Sequence, residues 1–287
     1  MSDSLSDIVA SSEPQQLATG FVFTEGPLWH TDGYWLFVDI RRSLIHRLVP
    51  GGQPTNERED SGESNGLTFD LDGNLIICEG GNRRVTRRDP DGSFSVVADR
   101  FEGKRLNRPN DVVGRSDGIL YFTDPGGRLE APERELDFNG VYSVSPDGDV
   151  SLLIDDFELP NGLAFSPDES IIYVANTRAA MEIRAFDVAA DGSVSGGRLF
   201  ADLSSDEPDG VPDGMKVDVE GRVYCTGPGG HWVFDADGAH IGTIRLPELP
   251  ANCAWGGPDN KTMLFTARTS VYSLEMTTAG TPIPVRG

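Results

Sequence analysis

Residues 26–38 read Gly26-Pro-Leu-Trp-His-Thr-Asp-Gly-Tyr-Trp-Leu-Phe-Val38, a short apolar run, a polar Asp-Gly turn and a second apolar run. The same order of run, turn and run occurs five more times. These paired runs begin at residues 67 and 75, 112 and 119, 163 and 171, 215 and 223, and 253 and 263. A unit that recurs every roughly 40 to 50 residues indicates a repeat architecture.

Further apolar runs complete each unit. A third run follows the second, and its alternating polar and apolar residues, as in Val141-Tyr-Ser-Val, are typical of a half-exposed strand. In four units an Asp-Gly turn and a fourth run come next; these turns begin at Asp91, Asp147, Asp191 and Asp237. Four antiparallel strands per unit make one propeller blade. The sequence therefore predicts an all-β, six-bladed propeller.

The sixth unit ends near Met276 without a fourth run. Residues 15–23 are strand-like and precede the first unit, so we expect them to pair with the last blade and close the ring, which removes exposed sheet edges. The predicted domain spans residues 15–276, with a flexible N-terminal tail over 1–14 and a C-terminal tail over 277–287.

Composition limits the classes of partner. The 287-residue chain has a formal charge of -22, which would repel nucleic acid and anionic membranes. The three cysteines each lie in an apolar run, and their odd number favours buried free thiols over a disulfide framework. The first residues lack the pattern of a secretion signal. We expect a cytoplasmic protein, monomeric or weakly homo-oligomeric, without a nucleic-acid or membrane partner.

The residue just before each innermost strand should lie at one mouth of the central channel, because these strands run in the same sense. All six residues at this position carry side-chain oxygens: Glu25, Asn65, Asn110, Asn161, Asp213 and Asn252. Several share a polar-Gly-apolar pattern. Asn and Asp also occur before strands simply as turn residues. A concerted ring of carboxylates and amides, however, is chemistry suited to Ca²⁺, with Mg²⁺ or Mn²⁺ as alternatives.

From about Leu17 to Leu274 the sequence resembles the senescence marker protein/gluconolactonase family, the regucalcin-like lactonases. Five motifs carry the resemblance: Phe23-Thr-Glu-Gly-Pro, Arg108-Pro-Asn-Asp, Leu159-Pro-Asn-Gly-Leu-Ala-Phe-Ser-Pro-Asp, Val211-Pro-Asp-Gly-Met-Lys-Val-Asp and Asn252-Cys-Ala-Trp-Gly-Gly. The resemblance implies a six-bladed propeller that hydrolyses a small sugar lactone with one divalent ion, best suited to Ca²⁺ but with Mg²⁺, Mn²⁺ or Zn²⁺ as alternatives.

The family's functional residues can be transferred by motif. The resemblance implies that Glu25, Asn161 and Asp213 hold the metal, that Asn110 lies close to both metal and substrate, and that Arg108 reaches the substrate. It also implies that Asp213 is the catalytic proton acceptor. Pro109 follows Arg108, where the animal members have an aromatic residue.

Two other functions fit the same pattern. Related metal propellers hydrolyse phosphotriesters or other esters, and a propeller with a structural metal can also be a non-enzymatic binding module. The Glu- and Arg-rich insertion at 126–139 lengthens a connection in the third blade, and a long loop in a compact domain is often functional. We expect it to form a lid that sets specificity.

Overall fold

The computed structural model describes residues 4–11, 13–127, 129–207 and 209–286. The described chain begins with one short helix, α1 (Leu5–Ile8), and strand β1 (Gln15–Thr19). Two 3₁₀ turns, Ile40–Arg42 and Ala131–Glu133, are the other helical segments of the described part. None of these is long or apolar enough to cross a membrane.

The remaining strands form six four-stranded antiparallel sheets, which are the six predicted blades. Blade one contains β2 (Thr24–His30), β3 (Tyr34–Asp39), β4 (Leu44–Leu48) and β5 (Thr55–Arg58). Blade two contains β6 (Ser64–Phe69), β7 (Leu75–Glu79), β8 (Arg84–Arg88) and β9 (Phe94–Ala98). A two-stranded hairpin, β10 (Arg100–Phe101) and β11 (Lys104–Arg105), leads to blade three.

The second half of the ring repeats this plan. Blade three contains β12 (Val112–Gly114), β13 (Leu120–Asp124), β14 (Gly140–Val144) and β15 (Val150–Ile154). Blade four contains β16 (Pro160–Phe165), β17 (Ile171–Asn176), β18 (Glu182–Val188) and β19 (Val194–Asp202). Blade five contains β20 (Met215–Val217), β21 (Val223–Gly227), β22 (Gly230–Phe234) and β23 (His240–Ile244).

Blade six closes the ring as predicted. It contains β24 (Asn252–Gly256), β25 (Thr262–Ala267) and β26 (Ser270–Glu275). Its fourth strand is β1, which pairs antiparallel with β26 over Gln15–Thr19. The predicted six-bladed propeller and its closure by the N-terminal strand are therefore confirmed.

The core is divided among the junctions between blades. Six separate apolar clusters occur, each shared by two neighbouring blades. The junction of blades five and six, for example, packs Tyr224 against Trp255 edge to face with ring centroids 4.7 Å apart. Burying one such large side chain stabilises the fold by about 1.5–3 kcal/mol. The predicted free thiols are buried in three of these clusters: Cys78, Cys225 and Cys253.

Segments outside the predicted domain limits also contact the propeller. Ile8 of α1 is buried in the cluster between blades five and six. The C-terminal segment 280–286 runs over the face of the disc where the innermost strands end. Its Thr281 amide donates to the Val217 carbonyl of blade five at 3.0 Å, and its Arg286 amide donates to the Leu71 carbonyl of blade two at 2.7 Å. Because blades two and five face each other, this C-terminal strap crosses the mouth of the channel.

Candidate active site

The six predicted ring residues lie at the same end of their blades. Glu25, Asn65 and Asn161 are each the second residue of an innermost strand, and Asn252 is the first residue of another. Asn110 and Asp213 lie two residues before β12 and β20. Neighbouring blades are also joined here by backbone hydrogen bonds: Gly66 donates to Asn110 at 2.7 Å and Gly162 donates to Asp213 at 3.0 Å.

The glycine that follows a ring residue is required by this close approach. A Cβ atom on Gly162 would lie 2.2 Å from the carbonyl oxygen of Asp213, and one on Gly214 would lie 2.0 Å from the side chain of Asn252. Cβ atoms do not approach other heavy atoms so closely, so a larger residue would push the blades apart. The polar-Gly pattern in the sequence therefore records the contact between neighbouring innermost strands.

Hydrogen bonds divide the amide side chains of the ring into two groups. The Asn252 amide nitrogen donates to Glu25 Oε2 at 2.9 Å, and its oxygen accepts from the Cys253 amide at 2.8 Å. Both ends of Asn252 are therefore used, and it orients Glu25. Asn161 differs, because its amide nitrogen donates to Thr177 Oγ1 at 2.9 Å and its oxygen is left for a ligand.

The amide of Asn110 remains available as well. Its oxygen accepts from the Asn65 amide nitrogen at 3.1 Å, which fixes the side chain and leaves a second lone pair on that oxygen. The Asn110 backbone is held from the neighbouring strand, since its N–H donates to the Thr123 carbonyl at 2.8 Å. Asn65 thus positions Asn110, in the same way that Asn252 positions Glu25.

Of the ring carboxylates, Glu25 is buried and Asp213 is partly buried, and the two act on one another. Burial raises the pKa of Glu25 to about 7, although hydrogen bonds from Gly26 and Asn252 partly oppose this change. Burial also raises the pKa of Asp213 well above its usual range, and the negative charges of Glu25 and Asp111 raise it further. Carboxylates in this state bind protons in the absence of a cation and would be neutralised by one.

Asp111 is a third channel carboxylate that the sequence reasoning missed. Its Oδ1 accepts from the Val112 amide at 2.9 Å, whereas its Oδ2 is buried without a hydrogen-bond partner. Burial raises its pKa, opposed chiefly by the positive charge of Lys216. Asp111 occupies the place that glycine takes after four of the other ring residues. The departure from Asn-Gly to Asn-Asp in the third repeat was the signal that could have revealed it.

Arg108 lies beside the ring and is tied to blade two. Its guanidinium forms an ion pair with Glu63, and its side chain is 24% exposed. Buried Asp124 holds the loop that carries Arg108, because its two oxygens accept the backbone N–H groups of Asn107 and Arg108. Burial raises the pKa of Asp124 to about 7. Glu63 stood in no recognisable sequence pattern, whereas Asp124 ends the second strand of its blade, as Asp39 does in blade one.

The insertion at 126–139 packs beside this same loop. The Asn107 amide nitrogen donates to the Phe138 carbonyl at 2.9 Å, and the Arg105 backbone N–H donates to Glu135 at 2.7 Å. Leu136 is buried in the cluster between blades two and three. Residue 128 lies outside the described residues. The insertion therefore contacts the segment that carries Arg108, and its function as a lid stays a prediction.

The donor set fits a hard cation. Glu25, Asp213 and Asn161 supply carboxylate and amide oxygens, and the unpartnered Asp111 Oδ2 adds a buried oxygen. Within the described residues, no three His, Cys, Asp or Glu side chains form a ligand cluster by themselves. An ion at this mouth would therefore depend on the amide oxygens of asparagine as much as on the carboxylates.

Comparison with known proteins places the chain in a family. Residues 23–269 match the model of the SMP-30/gluconolactonase/LRE-like region. A gluconolactonase of Zymomonas mobilis is 32% identical, over 97% of this chain and 85% of its own length. A pentonolactonase of Haloferax volcanii is 31% identical, over 84% of this chain and 80% of its own.

Solved structures agree with this result. A gluconolactonase from Xanthomonas campestris superposes with a TM-score of 0.86 at 32% identity, covering 95% of this chain and 92% of the other. Regucalcin from Agrobacterium tumefaciens, described as a calcium-binding protein, superposes with a TM-score of 0.79 at 23% identity, covering 98% of this chain and 97% of the other. At that identity the similarity supports the fold alone. This chain therefore belongs to the SMP-30/gluconolactonase/LRE-like family.

Proposed function

We propose that the protein is a lactonase that opens a small sugar lactone with the help of one divalent ion held at the polar mouth of the channel. The observation that carries the proposal is the set of interacting carboxylates, buried Glu25 and Asp111 and partly buried Asp213, beside the available amide oxygen of Asn161. Family relatives named gluconolactonase and pentonolactonase support the same reaction class.

In the proposed site, Glu25, Asn161 and Asp213 hold the ion, and Asn110 lies close enough to contact both ion and substrate. Such an ion supplies a Lewis acid for the ester carbonyl and stabilises the negative charge that develops on its oxygen. Asn110, fixed by Asn65, can donate its amide N–H groups to the substrate. Arg108, fixed by Glu63, binds the hydroxyl groups of the sugar.

Asp213 is the proposed proton acceptor. Water attacks the carbonyl carbon and passes a proton to Asp213, the carbon–oxygen bond of the lactone ring breaks, and the proton is returned to the leaving alkoxide. A bound cation lowers the basicity of a carboxylate. Burial and the neighbouring charges of Glu25 and Asp111 act in the opposite direction, since they raise the pKa of Asp213.

Ca²⁺ is the proposed ion because every candidate ligand is an oxygen atom. Mg²⁺, Mn²⁺ and Zn²⁺ are the alternatives, and Zn²⁺ fits least because it prefers nitrogen and sulfur ligands. We also propose that the protein works in the cytoplasm without a nucleic-acid or membrane partner, in keeping with its charge of -22 and its free cysteines.

A panel of substrates tests the proposal. Purified protein is stripped with a chelator, reloaded with Ca²⁺, Mg²⁺, Mn²⁺ or Zn²⁺, and supplied with aldonolactones, a phosphotriester and an aryl ester while acid release is followed. We expect metal-dependent opening of the sugar lactones. Preferred turnover of the phosphotriester or aryl ester would instead establish the related ester hydrolase. Inactivity on every substrate with every ion would favour a binding module with a structural metal.

A further inference from the structure

The channel contains a second chamber at the end away from the ring. Its volume is about 640 Å³, within the range of small-molecule sites. Its walls come from the later residues of the innermost strands and from the turns that follow them, such as Thr31 and Ser116. The C-terminal strap covers it with residues 281–285. Chamber and ring thus lie at opposite ends of the same strands.

Lys216 gives this chamber its distinctive chemistry. It lines the wall together with corresponding residues of other innermost strands that carry no charge: Thr68, Val113, Ala164 and Ala254. Its ammonium donates to the Met215 carbonyl at 2.9 Å, and it forms no ion pair with a carboxylate of the described residues. A charged group that is partly removed from water without a partner is costly. Lys216 therefore offers two free N–H donors and a positive charge that has no ion-pair partner among the described residues.

The other charged groups of the chamber are already satisfied. Asp168 accepts from the Ser166 hydroxyl at 2.7 Å and from the Ser170 hydroxyl at 2.8 Å. Glu169 accepts from the backbone N–H of Ser116 at 2.8 Å and from its hydroxyl. These carboxylates lie in a turn between strands of blade four, whereas Lys216 lies within an innermost strand. They do not supply the ammonium with a counter-ion.

The rest of the wall is apolar and aromatic. Trp29, Phe69, Phe165 and Trp255 line the chamber, and the strap adds Ile283. Such walls accommodate a hydrocarbon or aromatic body, while the ammonium accepts a single negative charge. We propose that the chamber is a binding site for a small amphipathic anion, an aromatic or medium-chain carboxylate, whose negative group pairs with Lys216.

The experiment measures ligand binding to the chamber in metal-free protein. Binding of 4-phenylbutyrate and of its neutral analogue 4-phenylbutanol is followed by calorimetry in chelator-treated wild type, Lys216→Met, Lys216→Arg and the exposed control Lys104→Met. Because Lys216→Met loses the ion pair, we expect its affinity for 4-phenylbutyrate to fall by about tenfold or more. The alcohol should be unaffected, Lys104→Met should match wild type, and Lys216→Arg should retain binding.

Equal affinity of 4-phenylbutyrate for wild type and a folded Lys216→Met would overturn the site. Absence of binding to wild type at millimolar concentration would overturn it as well. Should Lys216→Met fail to fold, wild type and Lys216→Arg are compared instead. Tighter binding of 4-phenylbutyrate than of 4-phenylbutanol to both proteins supports the proposal, and equal binding overturns it.

Discussion

The two ends of the channel are built by the same strands but carry opposite chemistry. At the ring end, the carboxylates of Glu25, Asp111 and Asp213 act electrostatically on one another beside asparagine amides. At the chamber end the wall carries the large side chains Trp29, Phe69, Phe165 and Trp255, and the strap covers it. One charged residue, Lys216, lines the chamber and lies in the strand that follows Asp213 of the ring. The difference teaches that strands with one backbone plan can carry a polar site at one end of the channel and a largely apolar cavity at the other.

Removing the charge of Asp213 should affect the ring end most strongly. We expect Asp213→Asn to lose metal binding and to lower kcat/KM by about a thousandfold or more, since it removes a ligand and the proton acceptor together. Calorimetry with Ca²⁺ and lactone hydrolysis measure the two effects. Exposed Asp209→Asn, four residues away, is the matched control and should behave as wild type. Normal metal content with full activity in Asp213→Asn would refute both assigned roles.

Asp124 should matter for catalysis without affecting the metal. In Asp124→Asn one side-chain oxygen remains, so either the Asn107 or the Arg108 amide is left unpaired, at a cost of about 1–3 kcal/mol. We expect kcat/KM to fall about tenfold as the loop that carries Arg108 loosens, while Ca²⁺ affinity stays unchanged. The exposed control is Asp155→Asn. A parallel loss of Ca²⁺ affinity would show that Asp124 supports the ring as a whole.

The ring should make the metal-free protein sensitive to pH. Burial raises the pKa of Glu25 to about 7 and raises those of Asp111 and Asp213, so the folded protein keeps protons that the unfolded chain releases. This contribution to stability is complete at low pH and is lost as pH rises through about 7. The melting temperature of chelated protein should therefore fall by several degrees between about pH 5 and about pH 8.

Metal should reverse this trend, because it binds the deprotonated carboxylates. Scanning calorimetry with Ca²⁺ and with chelator measures both curves. Buried Asp124 also has a raised pKa and contributes to the fall of melting temperature with pH in the same direction. The same measurement on Asp213→Asn therefore isolates the contribution of the ring. A melting temperature that is constant or rising with pH in chelated wild type would contradict the electrostatic description of the ring.

The smallest effect on catalysis should come from the chamber end. Deleting residues 281–287 removes the strap and its hydrogen bonds to Val217 and Leu71. We expect Ca²⁺ affinity and kcat to stay within about twofold of wild type, with a small decrease in melting temperature, because these residues lie at the far mouth. A loss of activity much larger than this would show that the two ends are not separable.

The fold was predictable because its signals repeat. Each blade shows the same run, turn and run, and four Asp-Gly turns place glycine at a positive φ, such as Gly148 at 90°. The ring positions were also predictable, since Gly162 and Gly214 mark where neighbouring innermost strands touch. A pattern of this kind reports backbone contacts, which are common to all blades.

Most of the remaining features were not predictable because they depart from the repeat. Asp111 occupies a position that usually holds glycine. Asp124 instead follows the repeat: like Asp39, it is the last residue of a second strand and accepts two backbone N–H groups of the segment before the innermost strand. The strap contains Pro282 and Pro284 and forms no strand, so its course across the channel follows only from tertiary contacts. Lys216 lies within one of the five motifs, but its position inside the channel follows only from the arrangement of the blades.

The central claim is that one cation binds between oxygens from different blades. Anomalous diffraction from crystals grown with Mn²⁺ or Ca²⁺ tests it directly. We expect a single peak at the ring mouth, about 2.1–2.6 Å from oxygens of Glu25, Asn161 and Asp213. A peak elsewhere in the molecule, or none at these residues in crystals of active protein, would contradict it.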